Sequence, residues 1–589
     1  MGLTSVRLGG ETPPRQSSGL NVRVLGQSRV DNLADLRRSL RAPHPCSRQK
    51  VLRAAVERWG LDTPAHLRGR YAIVAWDPAD RLLIAFRDHL GHVPLFYRQH
   101  GENLFLATDP RLILRELSVE PRLCEEAMAE QLCGVPAAST RCMFQGVAQL
   151  PAGHLLTFTN GRPRIIRYWK PRLGGAPRLA DYREYYEAFE AIFRRAVERC
   201  LHGSERTATL LSGGLDSSSV TAMAAHLRPD CPFRTYTMVP HPEAALPAPQ
   251  DIPNRVDFKV YDERPFVAAL TARYKTLEPG FVSCPFGYPL ENADRIAAAI
   301  ARPPSALPAF EWIDLALAAA ASDGCDLVLT GQLGDTFVSW WGRGQIRWLL
   351  SQGDFRRAFH EMTAVGLRAA LGQLIEPFRP HFLSALLRGD EHPLKPWLDM
   401  GLVQPEFARR THIAERYRAA GFGPLNSPYW HPRRWSVRDL DNGDWGNGYT
   451  DWYLHGRQYQ IRIEDPTADS EVVEFCLSLP DDAYVSESGG RALVREGLRR
   501  YLPDDIRLRQ TKGRQCADTI ARVARHRAAL AQELADYAAD DYLVSMLDIE
   551  RAQRVLSEVA ADPQLHANWP AGMLLHTMAA ARFIRSLAT

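Results

Sequence analysis

The stretch Leu210-Leu211-Ser212-Gly213-Gly214-Leu215-Asp216-Ser217-Ser218-Ser219-Val220 constrains this chain more than any other. Arg206-Thr207-Ala208-Thr209 runs into the two leucines as a β-type segment, and Val220-Thr221-Ala222-Met223-Ala224-Ala225 follows with helical character. The pattern predicts a buried strand, a glycine turn and a helix whose first turn carries hydroxyls. That arrangement binds anions. Gly213 and Gly214 let the backbone approach an oxyanion closely, and the unpaired N–H groups at the helix start point at it. Leu211 ends the strand; Ser212, Ser217 and Ser218 add donors. Asp216 does not suit a phosphate unaided, so it is expected to face a divalent cation.

The region beyond repeats a strand–helix rhythm. Tyr182 to Leu201 has helical spacing, with Tyr186, Phe189, Ile192, Phe193, Ala196 and Val197 on one face. Phe233-Arg234-Thr235-Tyr236-Thr237-Met238-Val239 reads as a strand. Helical segments at 297–301 and 312–321 follow, then the buried strand Asp326-Leu327-Val328-Leu329-Thr330. This alternation predicts a parallel sheet covered by helices, with ligands at the carboxyl ends of its strands. The turn Thr330-Gly331-Gln332-Leu333-Gly334-Asp335 lies at such an end. Two carboxylates from separate strand ends, Asp216 and Asp335, suit Mg2+, which prefers oxygen ligands and keeps several waters. Residues 342 to about 440 are weakly patterned. After them come Trp430, Arg433, Arg434, Trp435, Trp445, Tyr449, Trp452 and Tyr453, which read either as a groove for a peptide or nucleic acid or as a capped helical subdomain with snorkelling arginines. Ile461 to Asp469 leads into a helix, and Arg509-Gln510-Thr511-Lys512-Gly513 sets a lysine beside a glycine. Beyond Lys512 the chain reads as Ala/Arg-rich helix without further chemistry.

The first part of the chain has a different texture. Tyr71 to Asp77 and Arg81 to Asp88 form a predicted hairpin around Asp77-Pro78-Ala79-Asp80. Leu95 to Tyr97 and Leu104 to Thr108 repeat the device, and Gly153 to Phe158 and Arg164 to Trp169 flank Asn160-Gly161. This is a β-rich domain. The Gly/Pro-rich stretch Pro171 to Pro177 marks the boundary, which gives domains 1–172 and 173–589. A chain of 589 residues is too long for one small core. Its net charge of +4 gives no reason to expect nucleic acid or membrane as partner. No apolar run is long enough to span a bilayer, and no secretory signal opens the sequence. Ten scattered cysteines, none in a Cys-x-x-Cys pair, suit a reducing cytoplasm. The Arg- and Ala-rich composition suggests a bacterial source.

Several of these words resemble known motifs. Ser212-Gly213-Gly214-Leu215-Asp216-Ser217 is not a Walker loop, since no Gly-Lys-Ser/Thr follows the glycines. It resembles the pyrophosphate loop of enzymes that cleave ATP to AMP and pyrophosphate. In the β-rich part, Arg87-Asp88-His89-Leu90-Gly91-His92-Val93-Pro94-Leu95-Phe96-Tyr97, Leu150-Pro151-Ala152-Gly153-His154 and Tyr168-Trp169-Lys170-Pro171 resemble the glutaminase domain of asparagine-synthetase-like proteins. The resemblance implies an N-terminal glutaminase-type (Ntn) fold and a C-terminal ATP-pyrophosphatase sheet of the adenine nucleotide α-hydrolase type. It also implies that Asp335 shares the magnesium, that Met238 is placed for adenine contact or is a core methionine, that Gly331 belongs to the nucleotide site, and that Lys512 reaches the α-phosphate.

The sequence also departs from the family. Active glutaminases have a cysteine after the initiator methionine, whereas this sequence has Gly2 and no cysteine before Cys46. The covalent route to glutamine hydrolysis is therefore expected to be lost. Gln332 stands where asparagine synthetases have glutamate and β-lactam synthetases have tyrosine. Arg462 and Glu464 stand exchanged relative to the family word Glu-x-Arg-x-Pro-x-x-Asp. An ion pair of the same geometry would permit that exchange, which favours a structural role over catalysis for this pair; Lys512, Gln332 and Glu464 are the candidate catalytic residues. Among relatives lacking the glutaminase, the resemblance points to a lasso-peptide cyclase. Such an enzyme adenylates a side-chain carboxylate of a precursor peptide and closes a macrolactam with the N-terminal amine. Expected partners are that precursor, a leader peptidase and a leader-recognition protein. The alternatives are a β-lactam-forming or other small-molecule ligase, an asparagine synthetase using free ammonia, or a nucleotide-binding pseudoenzyme.

Overall fold

The computed structural model describes residues 22–135 except 44, 140–176, 179, 181–244, 246, 260, 262–340, 346, 349–350, 353–365, 370–371, 374, 401–420, 432–442, 444–486, 489–561 and 569–588. Gly2, the larger part of the segment from 342 to 440, and the side chains of Trp430, Arg434, Trp435 and Trp445 lie outside the described residues.

The described residues of the N-terminal region form eight strands: β1 (Arg23–Val30), β2 (Gly69–Asp77), β3 (Leu82–Arg87), β4 (Phe96–His100), β5 (Asn103–Ala107), β6 (Ala148–Gln149), β7 (His154–Thr159) and β8 (Arg162–Arg167). One antiparallel sheet has the order β1-β2-β3-β7-β8 and a second has β5-β4-β6. Period-two alternation sorts the side chains. Ala72, Val74, Leu83, Ala85 and Leu156 of the first sheet pack on Leu95, Leu104, Leu106 and Leu150 of the second. The other face of the first sheet, with Tyr71, Ile73 and Phe86, receives Leu36, Val51, Leu52 and Val56 from the helices Leu33–Ser39 and Arg48–Trp59.

The second region is built on five parallel strands: β9 (Thr207–Leu210), β10 (Phe233–Met238), β11 (Leu277–Val282), β12 (Leu327–Leu329) and β13 (Arg462–Glu464). Their order is β11-β10-β9-β12-β13. The first strand in sequence is therefore central, and the chain winds outward on either side of it. The crevice between β9 and β12 is where the winding direction reverses, the position at which open α/β sheets bind ligands. The helix Arg183–Leu201 leads into β9 and buries Tyr185, Phe189, Phe193, Ala196, Val197 and Cys200. Its buried stripe thus runs through Tyr185, while the predicted Tyr186 and Ile192 flank it half-buried.

The two regions share one interior. Phe105, Met128 and Phe144 lie in the same apolar cluster as Phe407, Leu534, Met578 and Phe583, and the Phe144 and Phe583 rings are 6.3 Å apart. The C-terminal helices, including Arg527–Ala538 and Trp569–Ala588, therefore bind the two halves together by burial of apolar surface.

Of the two readings of the aromatic and basic cluster, the described members fit the helical subdomain and not the open groove. Arg433 is buried, donates to the carbonyl of Leu479 and pairs with Asp481 at 3.1 Å. Its guanidinium also lies over the Trp340 and Tyr484 rings. Tyr449 is buried, and Trp452 packs at the edge of the core. These groups close an interior and do not line an open surface. No helix among the described residues is long and apolar enough to cross a membrane.

Candidate active site

β9 delivers the chain to the predicted turn. Leu211 is buried and its N–H donates to the Tyr236 carbonyl of β10, so the turn leaves the sheet from a fixed point. Gly213 has a φ of +62°, and a Cβ there would lie 2.7 Å from that of Phe266; only glycine suits the position. Gly214 precedes the helix Leu215–Leu227 without a side-chain cap, so the first-turn N–H groups have no capping side chain. Ser212 and Ser217 face each other with their hydroxyls 3.0 Å apart. The Ser218 hydroxyl is buried and has no hydrogen-bond partner among the described residues.

Arg509 holds the turn from outside. One of its N–H groups donates to the Gly213 carbonyl at 3.0 Å and to Glu263 at 3.1 Å, and the guanidinium lies 3.9 Å from the Phe266 ring centroid. Burial pushes Glu263 up to about 7 despite this pairing. An isolated parallel bridge between Val260 and Gly513 docks the neighbouring segment, and with it Lys512.

The second predicted turn meets the first. Gly334 stacks so closely on Asp216 that a Cβ there would run into the carboxylate. Asp216 receives the Ser339 hydroxyl on Oδ2 at 2.9 Å, whereas its Oδ1 is buried without a partner among the described residues. Burial and the adjacent Asp335 carboxylate push Asp216 up to about 7. Asp335 accepts from Arg491 on Oδ1 and from Lys512 on Oδ2, each at 2.9 Å. Although partial desolvation opposes ionisation, these two cations hold the half-exposed Asp335 carboxylate below the usual range.

Asp216 and Asp335 therefore converge at the β9/β12 crevice. An orphaned buried carboxylate oxygen beside a second carboxylate fits a divalent cation that a triphosphate also ligates. Gly331 lies against the Asp216 backbone, Gln332 is exposed on the same turn, and half-buried Met238 ends β10 with its sulfur 3.9 Å from Cys516. Sequence reading passed over Arg491, Ser339, Arg509 and Glu263. Arg509 stands within the word ending in Lys512, but Arg491 is 21 positions upstream of that lysine and no spacing marks it.

Of the two roles open to Glu464, the structure gives it the structural one and not the catalytic one. Its carboxylate is buried and paired with Arg70 and, at 3.0 Å, with Arg29, both from the N-terminal region. Against burial, Arg29 and Arg70, with a smaller contribution from Arg462, hold it below the usual carboxylate range. Asp469 of the same word caps the helix Ser470–Ser478 by accepting from the Glu471 N–H.

Comparison with known proteins agrees with this geometry. The glutamine amidotransferase domain pattern matches residues 12–169, and the asparagine synthase pattern matches 188–438 and 458–582. The chain is 30% identical over 224 residues to asparagine synthetase [glutamine-hydrolyzing] 3 of Bacillus subtilis, a match covering 36% of each protein. It is 33% identical over 183 residues to amidase chry2 of Gibberella zeae, covering 30% of this chain and 26% of that one. To carboxyethyl-arginine beta-lactam-synthase of Streptomyces clavuligerus it is 28% identical over 184 residues, covering 31% and 33%. The matched stretches thus span a quarter to about a third of these relatives' lengths. With its synthetase pattern covering more than half of the sequence, behind an amidotransferase-type domain, the chain belongs to the asparagine synthase family.

Proposed function

We propose that this protein is a lasso-peptide cyclase, an ATP-dependent ligase that closes a macrolactam ring in a precursor peptide. Members of the asparagine synthase family are ATP-dependent carbon–nitrogen ligases. The observation that carries the adenylating chemistry is the meeting of Asp216, Asp335 and Lys512 at the sheet's switch point. In the first step an Asp or Glu side-chain carboxylate of the peptide attacks the α-phosphorus of ATP. The bond to the bridging oxygen breaks and pyrophosphate leaves. In the second step the peptide's N-terminal amine attacks the acyl carbon, an amide forms, AMP departs and the amine's proton is released.

The residues divide this work. Gly213, Gly214 and the first-turn N–H groups hold the pyrophosphate, with Ser212 and Ser217 as further donors. Asp216 and Asp335 would hold Mg2+, which when bound would offset negative charge on the pyrophosphate. Lys512, held against Asp335, is placed to move onto the α-phosphate as charge develops there. Gln332, exposed on the metal turn, orients the acyl group, but its amide does not serve as a base near neutral pH.

That Gln332 is neither glutamate nor tyrosine favours this substrate over asparagine formation or β-lactam closure. The setting proposed is the bacterial cytoplasm, with a leader peptidase and a leader-recognition protein supplying the trimmed precursor. The test is to incubate the protein with ATP, Mg2+ and the core peptide of a precursor encoded beside its gene. Loss of one water from the peptide, matched by AMP and pyrophosphate, is expected, without glutamate release from added glutamine. Asparagine formation from aspartate and ammonia would overturn the cyclase reading.

A further inference from the structure

The N-terminal region reaches the metal turn through a short chain of hydrogen bonds, and Arg70 is its origin. Arg70 extends from β2 and is buried. It pairs with the Glu464 carboxylate and also donates to the Asp465 carbonyl at 2.6 Å. One guanidinium thus fixes the side chain of one residue and the backbone of the next. β13, which ends at Glu464, is the edge strand beside β12, and the Glu464 carbonyl accepts from the Thr330 N–H at 2.9 Å.

The Asp465 carboxylate carries the chain onward. Its Oδ1 accepts from the Thr467 N–H at 2.9 Å and hydroxyl at 2.6 Å. Its Oδ2 accepts from the Leu333 N–H at 2.9 Å and the Tyr449 hydroxyl at 3.2 Å. Leu333 lies between Gln332 and Gly334, two residues before Asp335. A shift of Asp465 therefore moves the turn on which Gly334 meets Asp216 and from which Asp335 projects.

We propose that Arg70 is a positioning residue for the metal site, acting through Asp465 on the 331–335 turn. On this account the amidotransferase-type domain contributes to the ligase by holding its metal turn in register. The inference rests on the reading of Asp216 and Asp335 as cation ligands. Groups that orient ligands from behind typically alter metal affinity by about 10–100-fold when removed. Lysine at position 70 would present one compact charge where arginine's fork serves two acceptors.

The test is binding of a fluorescent ATP analogue to the full-length protein, titrated with Mg2+. Arg70→Met is expected to raise the Mg2+ midpoint about tenfold or more, measured at a temperature where the variant remains folded, with Arg70→Lys in between. Arg167→Ala removes a different pair between the two regions, Arg167 with Asp441 at 2.6 Å, and is expected to leave the midpoint unchanged. A wild-type midpoint in Arg70→Met overturns the proposal. If Arg70→Met does not fold, Tyr449→Phe, which deletes one bond to the same carboxylate, decides: a raised midpoint supports the proposal and an unchanged one overturns it. Mg2+-independent binding in wild type would overturn the metal site, and this inference with it.

Discussion

Asp88 and Asp216 are the same residue in two regions with opposite surroundings. Asp88, in the Arg-Asp-His word of the N-terminal region, is fully buried. It accepts from the backbone N–H groups of Tyr71, Leu90, Gly91, His92 and Val93 and from the His92 ring at 2.9 Å. Although burial opposes ionisation, these donors hold it well below the usual carboxylate range. Asp216, in the glycine turn, keeps one buried oxygen without a donor among the described residues and is pushed up to about 7. A carboxylate whose donors all come from its own fold has become architecture. One left short of donors beside a second carboxylate is built for a partner that the chain does not itself supply.

The largest expected effect lies on the open side of this contrast. Asp216→Ala and Lys512→Ala should each lower amide formation by about a thousandfold or more, the equivalent of ~4 kcal/mol of transition-state stabilisation. For Lys512→Ala, ATP affinity should stay within a few-fold of wild type, because the lysine's charge matters most once the α-phosphate gains charge. Steady-state rates and equilibrium nucleotide binding check this. Affinity falling in step with rate would make Lys512 a ground-state binder.

A smaller effect separates the two aspartates by stability. Asp88→Ala should destabilise the protein by about 3 kcal/mol, because it strands several buried N–H groups. Asp216→Asn should instead stabilise the ligand-free protein at pH 8 by roughly 1–3 kcal/mol, since it removes a carboxylate whose burial is poorly offset. Urea unfolding of the two variants beside wild type measures both. Equal destabilisation would erase the distinction.

The smallest effect is the pH dependence of those differences. Asp216 has its folded pKa above its unfolded value of about 4, so its penalty is complete above about 7 and fades as the pH falls from 7 to 4. The stability gap between Asp216→Asn and wild type should close over that window. Asp88 has the opposite sign. Its contribution is present above about 4 and is lost below, as its folded carboxylate takes up a proton. The gap for Asp88→Ala should therefore hold from pH 7 to 5 and narrow only in stronger acid. Unfolding free energies across pH 4 to 8 would show whether the two curves part as stated.

The glycine turn, the Gly-x-x-Gly-Asp turn and the lysine word were legible because each is local. Backbone sterics at Gly213 and a helix start at Leu215 follow from neighbours in sequence, and the β–α rhythm around them follows from period and burial. Local pattern likewise marked the hairpins of the N-terminal region, although strand ends such as Arg162–Arg167 shifted by a residue or two. Partnership was not legible. Glu464 looked like a member of a catalytic word, yet its partners Arg29 and Arg70 lie about 400 positions earlier in the chain. Arg433 looked like a surface cation and is buried under Trp340 and Tyr484. What the sequence by itself determined is which residues can do chemistry: local geometry and residue type decide that. Only the tertiary structure decided which carboxylates remain free to do it, because hydrogen-bond saturation depends on donors brought in from distant parts of the fold.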